Sequence, residues 1–236
     1  MMDRMTDPSR HPGEAAGDPP GARDREDEPV LMTRAFDELA PNYDHAHHDA
    51  VAAALIEFAG PPYAGAAVDV ACGSGAAASA LARLRAPAGN RSAGDPPILA
   101  VDLSPAMVSA GRMRAAAAGI DAAAIDWQVG AAVPLPVPDS SIDLILCASS
   151  LHFLGSTALG DWRRALRPGG RAAFSLPLAT TFRPSGTFAE LVATDLPLPA
   201  DAASARIPAL DAGFSAARAT LATVGSRQIV LIVADR

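Results

Sequence analysis

The sequence contains no lysine, so all 19 residues counted as Lys or Arg are arginine. This excludes a Schiff-base lysine and a P-loop lysine from any mechanism, and it points to a GC-rich coding bias. Half of the residues are hydrophobic, yet no uninterrupted apolar run occurs that approaches the roughly 20 residues of a membrane helix. A soluble chain with no membrane partner is expected. The start, from Met1 to Arg4, leads into polar, Pro/Gly-rich sequence with no apolar signal segment, so the expected location is the cytoplasm. A formal charge of -7 without a basic stripe argues against nucleic acid as a partner. Of the two cysteines, Cys72 and Cys147 fall on different predicted strands and neither has a metal-ligand spacing. No disulfide is expected in the cytosol.

At 236 residues the chain is long enough for one domain with a full core. Residues 1–29 carry eight acids and four arginines among Pro and Gly, a net charge of -4, with almost nothing to bury. They read as a disordered tail ahead of a single folded domain at 30–236.

The domain is organised around residues 68–75, Val-Asp-Val-Ala-Cys-Gly-Ser-Gly, followed by an alanine-rich run. The pattern is a short buried strand that breaks at a glycine turn and restarts as a helix, with Ala77, Ala80, Leu81 and Leu84 at helical spacing. Gly73 and Gly75 allow a sharp turn against which a ligand can lie, and the helix start offers unpaired N–H groups. Gly73-x-Gly75-x-x-Ala78 fits the dinucleotide fingerprint. Asp69 beside that turn would repel a pyrophosphate but suits a cationic amine. A second strand at 98–103 carries Asp102 near its end, an acid placed to accept hydrogen bonds from the ribose hydroxyls of an adenosine cofactor. Ser104 is the expected N-cap and Pro105 the first residue of the next helix.

Other elements follow from pattern. Phe36, Leu39 and Ala40 share a helical face that Pro41 ends, and residues 50–58 form a further helix. The Gly/Pro stretch at 86–97 reads as a surface insertion. Strands are expected near 125–129 and at 143–147, the second a nearly continuous apolar run covered on both faces. Residues 148–153 then lie at a strand's carboxyl end, where ligands bind in open parallel sheets. His152 is the candidate general base there; His48, with His45 and His47, is the rival if the amino-terminal segment covers the site. The His-x-His-His group lacks a diagnostic partner, so no metal site is expected. Residues 162–171 read as a helix end with basic residues and a Pro-Gly turn, ahead of a strand at 172–176. A short helix is expected within 178–208, walling the substrate. A hairpin at 217–223 and 228–233 closes the chain.

The Asp69 to Gly75 segment resembles the first motif of the class I methyltransferases that use S-adenosylmethionine (SAM), with Ala71 where the family usually has its first glycine. Phe36-Asp37, Ala40 and Tyr43-Asp44 resemble an amino-terminal motif of the quinone-biosynthesis-like members. Residues 102–107 resemble the second motif. Residues 130–143 resemble a later stretch, with Ala131 in place of the family's aspartate. The resemblance spans about residues 34–234, with these segments in family order. It implies a three-layer α/β/α sandwich with a Rossmann-like sheet of seven strands, mostly parallel and the last antiparallel. It also implies SAM as cofactor, held by Tyr43, Asp69, Ala71, Cys72, Gly73, Gly75, Asp102, Leu103, Met107, Ala131, Ala132 and Cys147. The implied activity is methyl transfer to an oxygen or carbon of a small molecule, by a monomer or homodimer. The alternatives are a cyclase or non-catalytic subunit on the same fold, and an NAD-dependent oxidoreductase.

Overall fold

The computed structural model describes residues 28–85 and 95–236. Nearly all of the expected tail, and most of the expected insertion at 86–97, lie outside the described residues. Helix α1 (Glu28–Leu39) passes through a 3-10 turn (Ala40–Asn42) into α2 (His45–Ala59). There follow β1 (Ala67–Val70), α3 (Ala76–Arg85), β2 (Ile98–Asp102), α4 (Pro105–Ala117), β3 (Ile125–Val129) and β4 (Ile142–Cys147). Helices α5 (Leu151–Leu154) and α6 (Thr157–Ala165) precede β5 (Leu166–Pro177). Short helices α7 (Thr187–Leu191) and α8 (Ile207–Asp211) lead to β6 (Ala216–Val224) and β7 (Arg227–Asp235).

The strands form one seven-stranded sheet in the order β3-β2-β1-β4-β5-β7-β6. Strands β1 to β5 pair in parallel, and β7 runs antiparallel between β5 and β6. Successive strand residues point to opposite faces, and the two cores divide accordingly. Val68, Val70, Ile145 and Cys147 pack with Leu159 and Trp162 of α6 and Ala209 of α8. Ala67, Leu144 and Leu146 pack with Leu55 of α2 and Ala77 and Leu81 of α3. The expected sandwich and strand direction are therefore observed. Strand order also reverses beside β1, which places a crevice at the carboxyl ends of β1 and β4.

Several boundaries differ from expectation, each for a local reason. Helix α2 begins at His45 rather than at residue 50, because the Asp44 carboxylate caps it by accepting from the His47 N–H at 3.1 Å. In α3 the expected apolar stripe is incomplete: Ala77 and Leu81 are buried, Ala80 is half-buried and Leu84 is 48% exposed. The neighbours Ala76, Ala78, Ser79 and Ala82 are buried instead, so small residues bring the helix close to the sheet. The Pro168-Gly169-Gly170 turn is drawn into the start of β5, where the pairing with β4 shifts register between Ile142 and Leu144. A register shift of this kind is what a bulge produces. The short helix expected within 178–208 is α7, of five residues.

Candidate functional site

The chain between β1 and α3 turns so tightly that Ala71, Gly73 and Gly75 all adopt positive φ, at 48, 53 and 70°. Ala71 thus takes a backbone conformation usually left to glycine. Two backbone bonds hold the turn from either side: Cys72 N–H to Val101 O at 3.0 Å and Gly75 N–H to Cys72 O at 2.8 Å. The two glycines serve different contacts. A side chain on Gly75 would run into the Trp127 ring of β3, so this position is glycine for packing. A side chain on Gly73 would come within 3.2 Å of the Tyr43 hydroxyl, on the open side of the turn.

The two strand-end acids also separate. Asp69 is 1% exposed and its Oδ2 accepts from the Ala78 N–H of α3 at 2.8 Å. Burial pushes its carboxyl up to about 8, against the pull of the Ala78 bond, so most of it is protonated at neutral pH. Sealed behind the turn, it does not line the cavity described below. Asp102 is 8% exposed and bridges two turns: Oδ2 accepts from Gly73 N–H at 2.8 Å and Oδ1 from Ser104 N–H at 2.9 Å. Burial raises its carboxyl, and those two amide bonds oppose the rise. Asp102 is the acid that faces the cavity.

The amino-terminal segment covers the turn. Tyr43 lies over Gly73 and stacks on His48 at a ring separation of 4.3 Å. Burial pushes the Tyr43 phenol up, and Asp102 and Asp69 push it the same way. His45 Nδ1 lies 3.0 Å from Ser74 Oγ, which also accepts from Arg114 Nη1 of α4 at 3.1 Å. Arg114 pairs in turn with Asp49 at 2.6 Å. The first turn of α2 is thus tied through Ser74 to both the glycine turn and α4. His48, expected as a possible base, is half-buried with Nδ1 unpartnered, and burial lowers it to about 4.

On the other side, Ser150 Oγ donates to Ala71 O at 3.2 Å and starts α5. His152 in α5 is 5% exposed, lies between Phe153 and Phe182 at ring separations of 4.1 and 5.1 Å, and has Nδ1 unpartnered. Burial lowers it to about 4. The structure brings neither His152 nor His48 into the cavity wall.

That wall is formed by Met32, Phe36, Tyr43, Ala71, Gly73, Asp102, Leu103, Ala132, Ser150, Phe153 and Leu154, around a volume of about 40 Å³. Tyr43, Ala71, Gly73, Asp102, Leu103 and Ala132 are thus brought together around one cavity. Cys72, Met107 and Cys147 are buried outside the wall, and Ala131 is exposed. Met32 and Leu154 were missed, although Met32 stands four residues before Phe36, a spacing that puts both on one helical face. A larger surface cleft of about 450 Å³, between α6, α8 and residues 195–199, carries neither a glycine turn nor a strand-end acid. No group of three or more His, Cys, Asp or Glu suited to a metal occurs among the described residues.

These wall residues suit SAM. The cofactor of an adenosine type needs an acid at the end of β2 for its ribose and slim residues at the turn after β1. Asp102, Ala71 and Gly73 meet both needs, and Leu103 and Ala132 offer apolar surface for a base. Comparison with known proteins agrees. Residues 68–174 match the family profile described as a methyltransferase domain. A ubiquinone/menaquinone biosynthesis C-methyltransferase of Dinoroseobacter shibae is 32% identical over 157 residues, covering 62% of this chain and 59% of that protein. A 2-phytyl-1,4-naphtoquinone methyltransferase of Synechococcus elongatus is 29% identical over 154 residues, covering 61% and 63%. The chain thus spans less than two thirds of the length of these curated relatives. Among solved structures, a SAM-dependent methyltransferase from Aquifex aeolicus superposes with a TM-score of 0.56 at 17% identity, over 88% of this chain and 98% of that one. One from Mesorhizobium loti gives 0.56 at 20% identity, over 78% and 96%. Residues 68–174, from β1 to β5, are thus similar to the methyltransferase domain family, and the sheet that sets Asp102 against the glycine turn has the fold of the class I SAM-dependent methyltransferases.

Proposed function

We propose that this chain transfers the methyl group of SAM to an oxygen or carbon of a small molecule. One observation carries the reading: the turn after β1, the end of β2 and the segment after β3 converge on one cavity, with Asp102 as its acid. SAM when bound supplies an electrophilic methyl group on a sulfonium. Asp102 would hold the ribose, the backbone at Ala71 to Gly73 would pass along the methionine portion, and Leu103 and Ala132 would flank the base. Met32, Phe36 and Tyr43 exclude water from above, which strengthens every electrostatic contact inside. Holding the two reactants in line is the main contribution such a site makes to rate.

Proton removal is the weak point of the design. His152 and His48 are neutral at pH 7 and poor bases, and both stand outside the cavity wall. An acceptor more acidic than a simple phenol, such as an electron-poor phenol or a 1,3-dicarbonyl carbon, therefore fits best. The quinone-related relatives support an aromatic acceptor of this kind. The same observation is the one that favours the second reading, a SAM-binding cyclase or partner subunit without methyl transfer. No described helix is long and apolar enough to cross a membrane. We read the protein as cytoplasmic, a monomer or homodimer, and without a nucleic-acid partner.

The test is calorimetric titration with SAM, S-adenosylhomocysteine and NADH, followed by mass spectrometry of candidate phenolic and 1,3-dicarbonyl acceptors incubated with SAM. Micromolar binding of the SAM pair and an acceptor heavier by one methyl group are expected. Binding of SAM with a changed acceptor of unaltered mass would move the assignment to the cyclase reading. Preference for NADH would overturn the cofactor.

A further inference from the structure

The cavity at the strand ends holds about 40 Å³, whereas ligand sites of this kind span roughly 300–1,000 Å³. A cofactor therefore fits only if part of the wall moves. The walls from the sheet are fixed. Ala71 to Gly75 is pinned to β2, and Asp102 is bonded to Gly73 and Ser104. The wall that can move is α1, which contributes Met32 and Phe36.

Helix α1 belongs to neither sheet core. Its apolar face packs in a small separate cluster, Met32, Ala35 and Leu191, with Phe36, Phe153 and Phe188 around it. The three rings meet edge-on or tilted at centroid separations of 5.4 to 6.3 Å. Of its polar side chains, Thr33 bonds to Pro29 O and Arg34 pairs with Glu38, both inside α1. Asp37 reaches out instead. Its Oδ1 accepts from Ser104 Oγ at 2.5 Å and from Ala106 N–H at 3.1 Å, at the start of α4. Ser104 is fully buried, caps α4 through the Met107 N–H, and gives its own N–H to Asp102. A continuous path of hydrogen bonds thus runs from α1 through Ser104 and Asp102 to the Gly73 amide under Tyr43.

We propose that Asp37 is a positioning residue for the cofactor: it clamps α1 onto the turn after β2, and the cofactor enters and leaves only when that clamp lets go. The clamp acts through Ser104, which orients Asp102, so closure of the cavity and alignment of the ribose-binding acid are one event. Asparagine at this position keeps the Oδ1 acceptor and restores most of the effect; alanine removes it. Glu38 lies next to Asp37 but bonds only within α1, so its loss frays the helix without touching the clamp. The inference rests on the SAM reading of the cavity.

The experiment measures the dissociation rate of S-adenosylhomocysteine by stopped flow, and hydrogen exchange of residues 30–39 with and without that ligand, in the full chain and in Asp37→Ala, Asp37→Asn and Glu38→Ala. The expected result for Asp37→Ala is dissociation faster by about 10-fold or more, the factor one charge-assisted hydrogen bond supplies, with faster exchange in 30–39 before ligand is added. Asp37→Asn should return most of both, and Glu38→Ala should leave the dissociation rate unchanged. A parent chain that binds the ligand, with unaltered dissociation and exchange in Asp37→Ala, overturns the clamp alone. Equal loss in Glu38→Ala also overturns it, since the effect would then be helix fraying. A parent chain that does not bind the ligand overturns the cofactor reading and, with it, the clamp's role.

Discussion

The turns that follow β1 and β2 start from the same ingredients, an acid on a parallel strand and then a helix. Their geometry sends the acids to opposite fates. Asp69 sits within β1, one residue before its end, and points to the face packed by α2 and α3, where its partner is the α3 backbone at Ala78. Asp102 is the last residue of β2, and its carboxylate bridges the two turns on the cavity side. Asp69 pairs with Ala100, so Asp102, two residues further on, shares its face but lies beyond the last residue of β1, where the turn leaves it at the cavity. The first acid therefore organises the turn from behind, and the second lines the cavity.

The sharpest way to break this comparison is to remove each acid. Asp69→Ala leaves the Ala78 N–H buried without an acceptor and opens a void, so it is expected to lower stability by about 2–3 kcal/mol, read by urea denaturation. Asp102→Ala should instead show mainly in the titration with SAM, with affinity down about 10- to 100-fold through loss of charge-assisted bonds to the ribose. If the larger loss of affinity came from Asp69 and the larger loss of stability from Asp102, the assignment of roles would be reversed.

Next in size is the packing that holds the β1 turn against β3. Gly75→Ala places a methyl group against Trp127 in a backbone conformation with φ of 70°, and about 2 kcal/mol of destabilisation is expected. Trp127→Leu combined with it should recover part of that loss. Absence of any coupling in the double-mutant cycle would rule out the ring as the cause.

Titration sharpens the contrast further. The folded Asp69 carboxyl titrates near 8 against 3.8 when unfolded, so over that range the folded chain holds the extra proton and stability falls as pH rises. The folded His152 titrates near 4 against 6.5 unfolded, so between those values the unfolded chain holds the extra proton and stability rises with pH. Each contributes a slope of about 1.4 kcal/mol per pH unit within its own window. The two oppose below pH 6.5, and above it the Asp69 slope stands without that of His152. Asp69→Asn should therefore flatten the decline between pH 7 and 8, and His152→Phe should flatten the loss on acidification below 6.5. Denaturation curves across pH 4–9 check both. The smallest effect is Ala71→Gly, which relieves a positive φ of 48° and should raise stability by no more than about 1 kcal/mol.

Much of this was legible in the residues because it depends on local chemistry. The apolar run at 143–147, the Ser104-Pro105 helix start and the glycine turn each stand on neighbours close in sequence. Legibility failed where the partner lay far away. Nothing near Gly75 announces that Trp127 requires it to be glycine, and nothing near His152 says that Phe153 and Phe182 will bury it. Asp44 as a cap could have been read from its spacing to His47, but the histidines that follow it gave no apolar period to mark a helix start. Pro168 and the two glycines after it read as a turn, yet pairing with β4 made them part of a strand.

By itself, then, the sequence determined the class of fold, the order of its elements and the turn residues at the cofactor end. Periodicity and backbone preference act over a few residues and need no distant partner. Only the tertiary structure decided which acid faces the cavity, which histidines are sealed away, and that Asp37 reaches Ser104 across 67 positions of chain. Those outcomes depend on which surfaces are buried against each other and on the desolvation that follows, and both arise only when the sheet is assembled.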